Sequence, residues 1–506
     1  MKRTSINIIS NVLVTITNIV IGFWLSPYII AHVGIEANGF ISLAQNFIVY
    51  ASLAVTALNS MAARFITIEY VKKNYDRANL YYNSVFWGNL IIVAVLLPCS
   101  ILIIRYLEII INIPSDLVLD VKLMFSFVFL NFFLETGAPN WDCGTFVSNR
   151  LERKSIPAAV LSVIRATFII SIMSILVPHI WYVGLASTLV SVGGLLIGMY
   201  NTHQLTPELR IRFGRKKTIC SWKAIKELVG SGIWNTVSNL GSMLLNGLDL
   251  LLCNLFIGPT EMGILALGRI LPSYLLNFAN TIFNAFAPEI IINYAEGDKE
   301  KQVHGLIRAM KILSFLLSIP LCGMIVLSKD FFSLWVPSQD STTLSIIAIL
   351  ICSEYAFTSG TLILNSVFLT VNKVKVNSLL IVTSGAVSTL IVFVLLNTTN
   401  LGIYAIAGIS VVVNLLRMNL YTIPYSAKYL DVSCKPFFLH EIKCVLDTIL
   451  ICAICFGLLS FIHVNSWPWF IVKGLIVTLV CFFTNYYLFL NKEERKIILK
   501  KIKIKR

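Results

Sequence analysis

Charge is scarce in this sequence. Only 13% of its 506 residues are Asp, Glu, Lys or Arg, whereas 57% are hydrophobic and the mean hydropathy is +0.82. A water-soluble chain of this size carries about 25% charged residues, so the soluble globular classes are excluded. Long polar loops are lacking too. The longest outer loop in the topology below is 105–120, too short for a domain of its own. There is no Walker loop, no HExxH helix, no nucleophile elbow and no clustered His/Cys ligand set. The expectation is therefore no enzyme activity, no cofactor, no bound metal and no energy supply from nucleotide hydrolysis by this chain. The outer loops hold no cysteine pair, which excludes a disulfide framework. Cys452-x-x-Cys455 lies in an apolar run without histidine or carboxylate partners, and is read as helix packing rather than a redox or zinc site.

What the chain does have is apolar runs, each long enough to cross about 30 Å of hydrocarbon as a helix. Fourteen are read, at 6–31, 40–63, 84–104, 121–146, 157–178, 182–202, 228–257, 263–291, 312–328, 342–370, 378–397, 402–426, 446–462 and 469–490. They are continuous rather than alternating, which disfavours a strand barrel. The first is too long for a signal-peptide core and ends on no small-residue cleavage site, so it is read as a retained span. The expected fold class is an all-α polytopic membrane protein.

Basic residues set the expected orientation. With both termini inside, 32 of the 40 Lys and Arg fall in inner segments, and three (Arg105, Lys122, Lys329) fall in outer loops. That asymmetry follows the positive-inside rule. The net charge of +15 is thus mostly topology and does not point to nucleic acid. The tail KEERKIILKKIKIKR is a solvated anchor of the same kind, with the composition to press on anionic lipid.

An internal repeat organises the runs. A shift of 224 lays the first two spans on the seventh and eighth without a gap. Gly34-Ile-Glu-Ala-Asn-Gly39 then meets Gly258-Pro-Thr-Glu-Met-Gly263, Asn11 meets Asn235, and Tyr50 meets Tyr274. A shift of 223 lays Asn149-Arg150 on Asn372-Lys373. Six spans thus repeat as six in the same orientation, which implies a pseudo-two-fold axis along the membrane normal. The expected domains are an N-lobe (1–202), a basic cytoplasmic linker (203–223), a C-lobe (224–427), two further spans with their preceding loop (428–490) and a basic tail (491–506).

Polar residues inside the runs fall on helical faces. Span seven carries Asn235, Asn239, Ser242, Asn246 and Asp249 at steps of 4, 3, 4 and 3. Span one carries Asn7, Asn11, Thr15 and Asn18, and span ten carries Glu354, Thr358, Thr361 and Asn365. Span four offers Asn131, Glu135 and Asp142. Arg269 heads a stripe in span eight that continues through Ser273, Asn277, Asn280 and Asn284. A charge at the centre of a membrane helix costs roughly 2.5 to 3.5 kcal/mol on insertion scales, so such groups usually face a bundle interior or a cavity. The economical expectation is one hydrated cleft lined by these faces. The competing reading is that the amides glue helices together without a transport role. Glu135, Asp142, Asp249 and Glu354 are expected either to be structural counter-ions of Arg165 and Arg417 or to bind a coupling proton or sodium.

With two parallel six-span lobes, a basic linker, a terminal span pair and the outer Gly-x4-Gly turn after spans one and seven, the chain resembles the polysaccharide-transporter branch of the multidrug/oligosaccharidyl-lipid/polysaccharide exporter superfamily. The stretch NIISNVLVTITNIVIGFWLSPYIIAHVGIEANGFISLAQNFIVYASLAVTALNSMAARFI is similar to the opening of oligosaccharide-lipid flippases of the O-antigen (Wzx) type. The resemblance implies a flippase that carries undecaprenyl-pyrophosphate-linked oligosaccharide across the bacterial plasma (inner) membrane by alternating access. It would serve lipopolysaccharide or other surface polysaccharide synthesis, with both termini cytoplasmic. Implied partners are membrane lipid, the lipid-linked glycan, a coupling H+ or Na+, and polymerase and chain-length machinery. Arg269, Arg165 and Arg417 are assigned to pyrophosphate or acidic sugar, since the forked guanidinium suits phosphate. Asn11, Asn18, Asn235, Asn239, Ser242, Asn246, Asn277, Asn284, Thr358, Thr361 and Asn365 are assigned to the sugar path. Span two has Gln45 where its repeat partner has Arg269, a less basic pattern than in lipid II flippases. Rival readings are a cation-coupled multidrug exporter of the same superfamily, a membrane-embedded polysaccharide polymerase or ligase, and a scaffold for the synthesis machinery.

Overall fold

A computed structural model of the chain describes residues 2–212, 220–295, 299–371 and 373–489, and all regular secondary structure among them is helical. Residues 213–219 of the expected linker, Asn372 and the tail 491–506 lie outside the described residues. The principal helices follow the apolar runs in order. They are α1 (Lys2–Val33), α2 (Ile35–Asn59), α3 (Tyr75–Arg105), α4 (Val118–Gly137), α5 (Glu152–Ile175), α6 (Trp181–Leu205) and α7 (Trp222–Ser242). Then come α8 (Ile270–Ala295), α9 (Lys299–Trp335), α10 (Ser341–Thr358), α11 (Val374–Thr398), α12 (Ile403–Arg417), α13 (Lys435–Leu459) and α14 (Trp467–Leu488).

Among the described residues, thirteen helical segments are long and apolar enough to cross a membrane. The chain is a multi-pass membrane protein. One fewer span qualifies than expected, and the difference is α4. Its 20 residues reach about 30 Å, but Asp120, Lys122 and Glu135 lie within it. Each charge has a partner. His179 Nδ1 lies 2.9 Å from Asp120 Oδ2, Lys122 Nζ lies 2.9 Å from Glu108, and Ser191 Oγ donates to Glu135 at 2.8 Å. The run expected over 121–146 is also broken. Pro139 has no N–H and forces Ala138 into extended backbone at ψ 153, so Asp142–Val147 is a separate short helix.

Three spans change helix type midway. Span seven runs from α7 through a π turn, Met243–Gly247, into Asp249–Phe256. Such a turn takes a carbonyl out of the regular ladder. Gly247 O finds donors in Asn46 Nδ2 at 3.1 Å and Tyr50 Oη at 2.6 Å, both on α2. Span twelve passes from α12 through a second π turn, Met418–Thr422. In span ten, α10 gives way to a 3-10 turn, Thr361–Leu364, after Gly360, where a Cβ would stand 2.3 Å from His440 Nε2. Asp340 starts α10 by accepting from the Thr343 hydroxyl at 2.6 Å and the amides of Thr342 and Thr343. Those bonds hold its carboxyl below the usual range.

The chain divides into two compact units, Met1–Gly263 and Ile264–Arg506. By sequence the division falls in the linker; by packing, α7 stays with the first unit. It crosses α2 so closely that a Cβ on Gly232 would lie 2.1 Å from Ala57 O. The described part of the linker is fastened to α3. Asn79 and Asn83 each use both amide atoms, donating to the carbonyls of Glu208 and Arg210 and accepting from the amides of Arg210 and Arg212. Leu58, Tyr81, Tyr82, Val85 and Leu228 form a core beneath them.

In the second unit, Leu313, Leu317, Ile363, Ile423 and Phe437 share a core, and Cys322, Ile451, Cys455, Val477 and Cys481 share another. These cysteines are free thiols among apolar neighbours. Lys473 of α14 is 2.8 Å from Asp330 at the end of α9. In lipid, apolar contact brings packing without dehydration, so such polar contacts carry much of the helix-pairing specificity.

Candidate functional site

Within the first unit, α1 and span seven present the exposed amides. Asn18 of α1 is exposed, as are Asn239, Ser242 and Asn246, while Asn235 is half-buried and Asp249 is buried. Asn11 is exposed as well, but its Oδ1 accepts from Ser155 Oγ of α5 at 2.6 Å. Asn7, one turn earlier, donates to Asn149 Oδ1 at 2.9 Å. The upper part of that stripe therefore ties α1 to the start of α5. In the second unit, Asn277 and Asn284 of α8 are exposed with Ser273 and Asn280. Arg269 is half-buried where Pro259–Gly268 meets α8, and its carbonyl accepts from Ser273 N at 3.0 Å.

The span-ten stripe turns inward. Thr358 and Thr361 are fully buried. Their hydroxyls donate to the carbonyls of Glu354 at 3.0 Å and Thr358 at 3.3 Å, and Asn365 Nδ2 donates to Leu362 O at 3.1 Å. These polar atoms satisfy the backbone where α10 breaks. Glu354 and Arg417, 63 positions apart in sequence, are brought together by Asn414. Asn414 Nδ2 donates to Glu354 Oε1, and Asn414 Oδ1 accepts from Arg417 Nε at 3.0 Å and Nη2 at 2.7 Å. One amide thus bridges a carboxylate to a guanidinium, and Arg417 Nη1 stays buried without an acceptor.

The first unit has a counterpart. A shift of 223 lays Asn131 on Glu354 and Ser191 on Asn414. Asn131 and Ser191 meet on Glu135, at 3.5 and 2.8 Å. The α4–α6 and α10–α12 pairs are therefore clasped at positions that the offset of 223 aligns, by different polar groups. Glu135 and Asp142 also line an open cavity of about 560 Å³ within this unit, where Lys154 Nζ lies 2.5 Å from Asp142 Oδ2. Arg165 of α5 is half-buried, and its Nε has no acceptor.

Sequence reasoning passed over the terminal helix pair because it stands outside the repeat. Polar contacts sit among the apolar ones on its packed faces. His440 Nε2 is 2.9 Å from Ser314 Oγ, and Asn485 Nδ2 donates to Ser318 Oγ at 2.6 Å. Glu441 Oε1 and Asp447 Oδ1 are buried with no hydrogen-bond partner. The signal was present as His440, Cys444 and Asp447, at steps of 4 and 3, but the first two precede the apolar run 446–462 and only the longer helix α13 puts all three on one face.

Comparison with known proteins fits this architecture. The lipid II flippase MurJ, in an inward closed conformation, superposes with a TM-score of 0.65 at 15% identity, over 95% of this chain and 98% of that one. An inward-facing multidrug resistance MATE family transporter of the MOP superfamily superposes with a TM-score of 0.60 at 13% identity, over 83% and 96%. The fold is therefore that of the MurJ and MATE transporters. In sequence, the chain is 25% identical to the uncharacterized membrane protein EpsK of Bacillus subtilis (strain 168), over 99% of this chain and 98% of that protein. The polysaccharide biosynthesis protein model matches residues 6–291, more than half of the sequence, and the chain belongs to that family.

Proposed function

We propose that the protein is a flippase for polyprenyl-pyrophosphate-linked oligosaccharide. It moves the glycan from the cytoplasmic to the outer leaflet of a bacterial plasma membrane by alternating access, in surface polysaccharide synthesis. The observation that carries the reading is the exposure of asparagine faces on helices that cross the membrane, above all Asn239 in span seven and Asn277, Asn280 and Asn284 in α8. Burying one amide unpaired in hydrocarbon costs about 2–7 kcal/mol. Four such groups approach or exceed the whole stability of a typical domain, about 5–15 kcal/mol. Water and a hydroxylated cargo are the neighbours that remove this cost.

Roles follow from chemistry. Arg269 stands at the head of the α8 stripe and is assigned to the pyrophosphate, together with Arg165, whose Nε lacks an acceptor. Arg417 is partly offset by Glu354 through Asn414 and is assigned a lesser share. Glu135, Asp142, Asp249 and Glu354 are the groups proposed to couple proton or sodium movement. The family and the fold shared with a lipid II flippase support a lipid-linked cargo. Gln45, exposed on α2 where the repeat places Arg269, favours a glycan carrying less phosphate-like charge than a peptidoglycan precursor.

The deciding experiment is reconstitution in vesicles with fluorescent lipid-linked oligosaccharide. The wild type is expected to move it between leaflets, Arg269→Ala to lose most of that activity and Arg269→Lys to keep part of it. Full activity in both variants removes Arg269 from the site, and no movement by the wild type removes the flippase reading.

A further inference from the structure

The cavity in the first unit has a chemistry distinct from that of a phosphate site. We propose that it is a subsite for an uncharged or basic sugar unit of the cargo, and that the pyrophosphate binds elsewhere; the assignment rests on the flippase reading above. About 560 Å³ falls in the size range of small-ligand pockets, about 300–1,000 Å³.

The walls are rich in groups that both donate and accept. Asn59 and Asn89 stand on one side, and Asn140, Asn201 and Ser162 on others. Hydroxyls, which also do both, are their natural partners. One wall atom is left wanting. Asn89 is 5% exposed and its Nδ2 donates to Asn59 Oδ1 at 3.0 Å, yet its Oδ1 is buried with no donor. An orphaned buried acceptor costs about 1–3 kcal/mol, and a ligand hydroxyl or ammonium relieves it. Trp141 contributes an apolar aromatic surface to the same lining, a suitable platform for the C–H face of a pyranose.

Charge decides against phosphate. The ionisable groups of the lining are Glu135, Asp142 and Lys154. The lysine is spoken for by Asp142 at 2.5 Å. Among the described residues, the side chains bonded to Glu135 are the neutral Ser191 and Asn131. One uncompensated carboxylate therefore faces the space. It repels an anion and favours an amino sugar over its neutral analogue.

The test uses full-length protein in nanodiscs and saturation-transfer NMR with free sugars: neutral, N-acetylated and amino disaccharides, and glucose 1-phosphate as the anionic probe. At least one of the uncharged or amino sugars is expected to bind, and the sugar phosphate is not. Asn89→Leu should weaken sugar binding at least tenfold. Ala158→Leu, which adds bulk to the lining from a half-exposed position, should do the same without touching the amide pair. Glu135→Gln should erase any preference for the amino sugar while leaving neutral sugar bound. The proposal is overturned if no sugar in the panel binds, if glucose 1-phosphate binds as well as the best of them, or if Asn89→Leu and Ala158→Leu both leave affinity unchanged. Vesicles that flip lipid-linked glycan although the cavity takes no sugar overturn this subsite alone. Vesicles that flip nothing overturn the flippase reading, whatever the cavity binds.

Discussion

Thr260 donates its hydroxyl to Glu36 Oε1 at 2.7 Å, although 224 positions separate them. That separation equals the offset that aligns the two Gly-x4-Gly turns in sequence, so residues at matching positions of the two turns hold each other. The glycines around them meet as closely. A Cβ on Gly39 would lie 2.9 Å from Gly263 Cα, and one on Gly263 would lie 2.4 Å from Ile35 O. Gly34 and Gly258, also equivalent, both take positive φ (102 and 154), where side chains are strained.

Gly263→Ala is therefore expected to cost about 1–3 kcal/mol, the usual range for overpacking. Thr260→Val should cost about 0.5–1.5 kcal/mol, for one hydrogen bond. Thermal unfolding of the purified variants orders them. A Gly263→Ala melting temperature equal to the wild type would contradict the close approach.

Lys473 is nine-tenths buried and holds Asp330, fastening the terminal pair to α9. Lys473→Met leaves a carboxylate without its cation and should destabilise by about 1–3 kcal/mol, the cost of an unsatisfied polar group at a partly exposed site. Adding Asp330→Asn should recover most of the loss, which a double-mutant cycle measures directly.

The Glu354–Asn414–Arg417 bridge makes a similar forecast. Glu354→Gln or Arg417→Gln alone strands one charge, whereas the two together strand none. The pair is expected to be less damaging than the sum of its parts by about 0.5–3 kcal/mol. Simple additivity in thermal unfolding would show that Asn414 transmits nothing between them.

Cysteine accessibility separates the stripes. In a background with the exposed Cys99 replaced, Asn239→Cys and Asn277→Cys should react with a membrane-impermeant maleimide. Thr361→Cys, at a fully buried position, should not. Silence at both asparagine positions would mean their faces meet lipid or protein, and the carrying observation for transport would be lost.

Much of this was legible beforehand because hydrocarbon is a demanding solvent. Runs such as 84–104 and 469–490 had to be helices, since backbone groups in lipid have no other way to bond. Intervals of three and four gathered Asn239, Ser242 and Asn246 on one face, and that face is exposed. The same periodicity grouped Thr358 and Thr361 with Glu354, but could not distinguish an open face from one whose hydroxyls serve a broken backbone. The single run at 121–146 misled because apolar composition masked what Pro139 does to the helix.

Sequence alone determined that the chain lives in a membrane and that its long apolar runs are helices, because length, hydropathy and register are properties of one dimension. Only tertiary structure decided which polar groups are spent on each other. Asn414 between Glu354 and Arg417, Lys473 on Asp330, and the unpaired oxygens of Asn89 and Asp447 depend on helices far apart in the chain arriving side by side. A hydrogen bond is fixed within a few tenths of an ångström, and no spacing along the chain carries that precision.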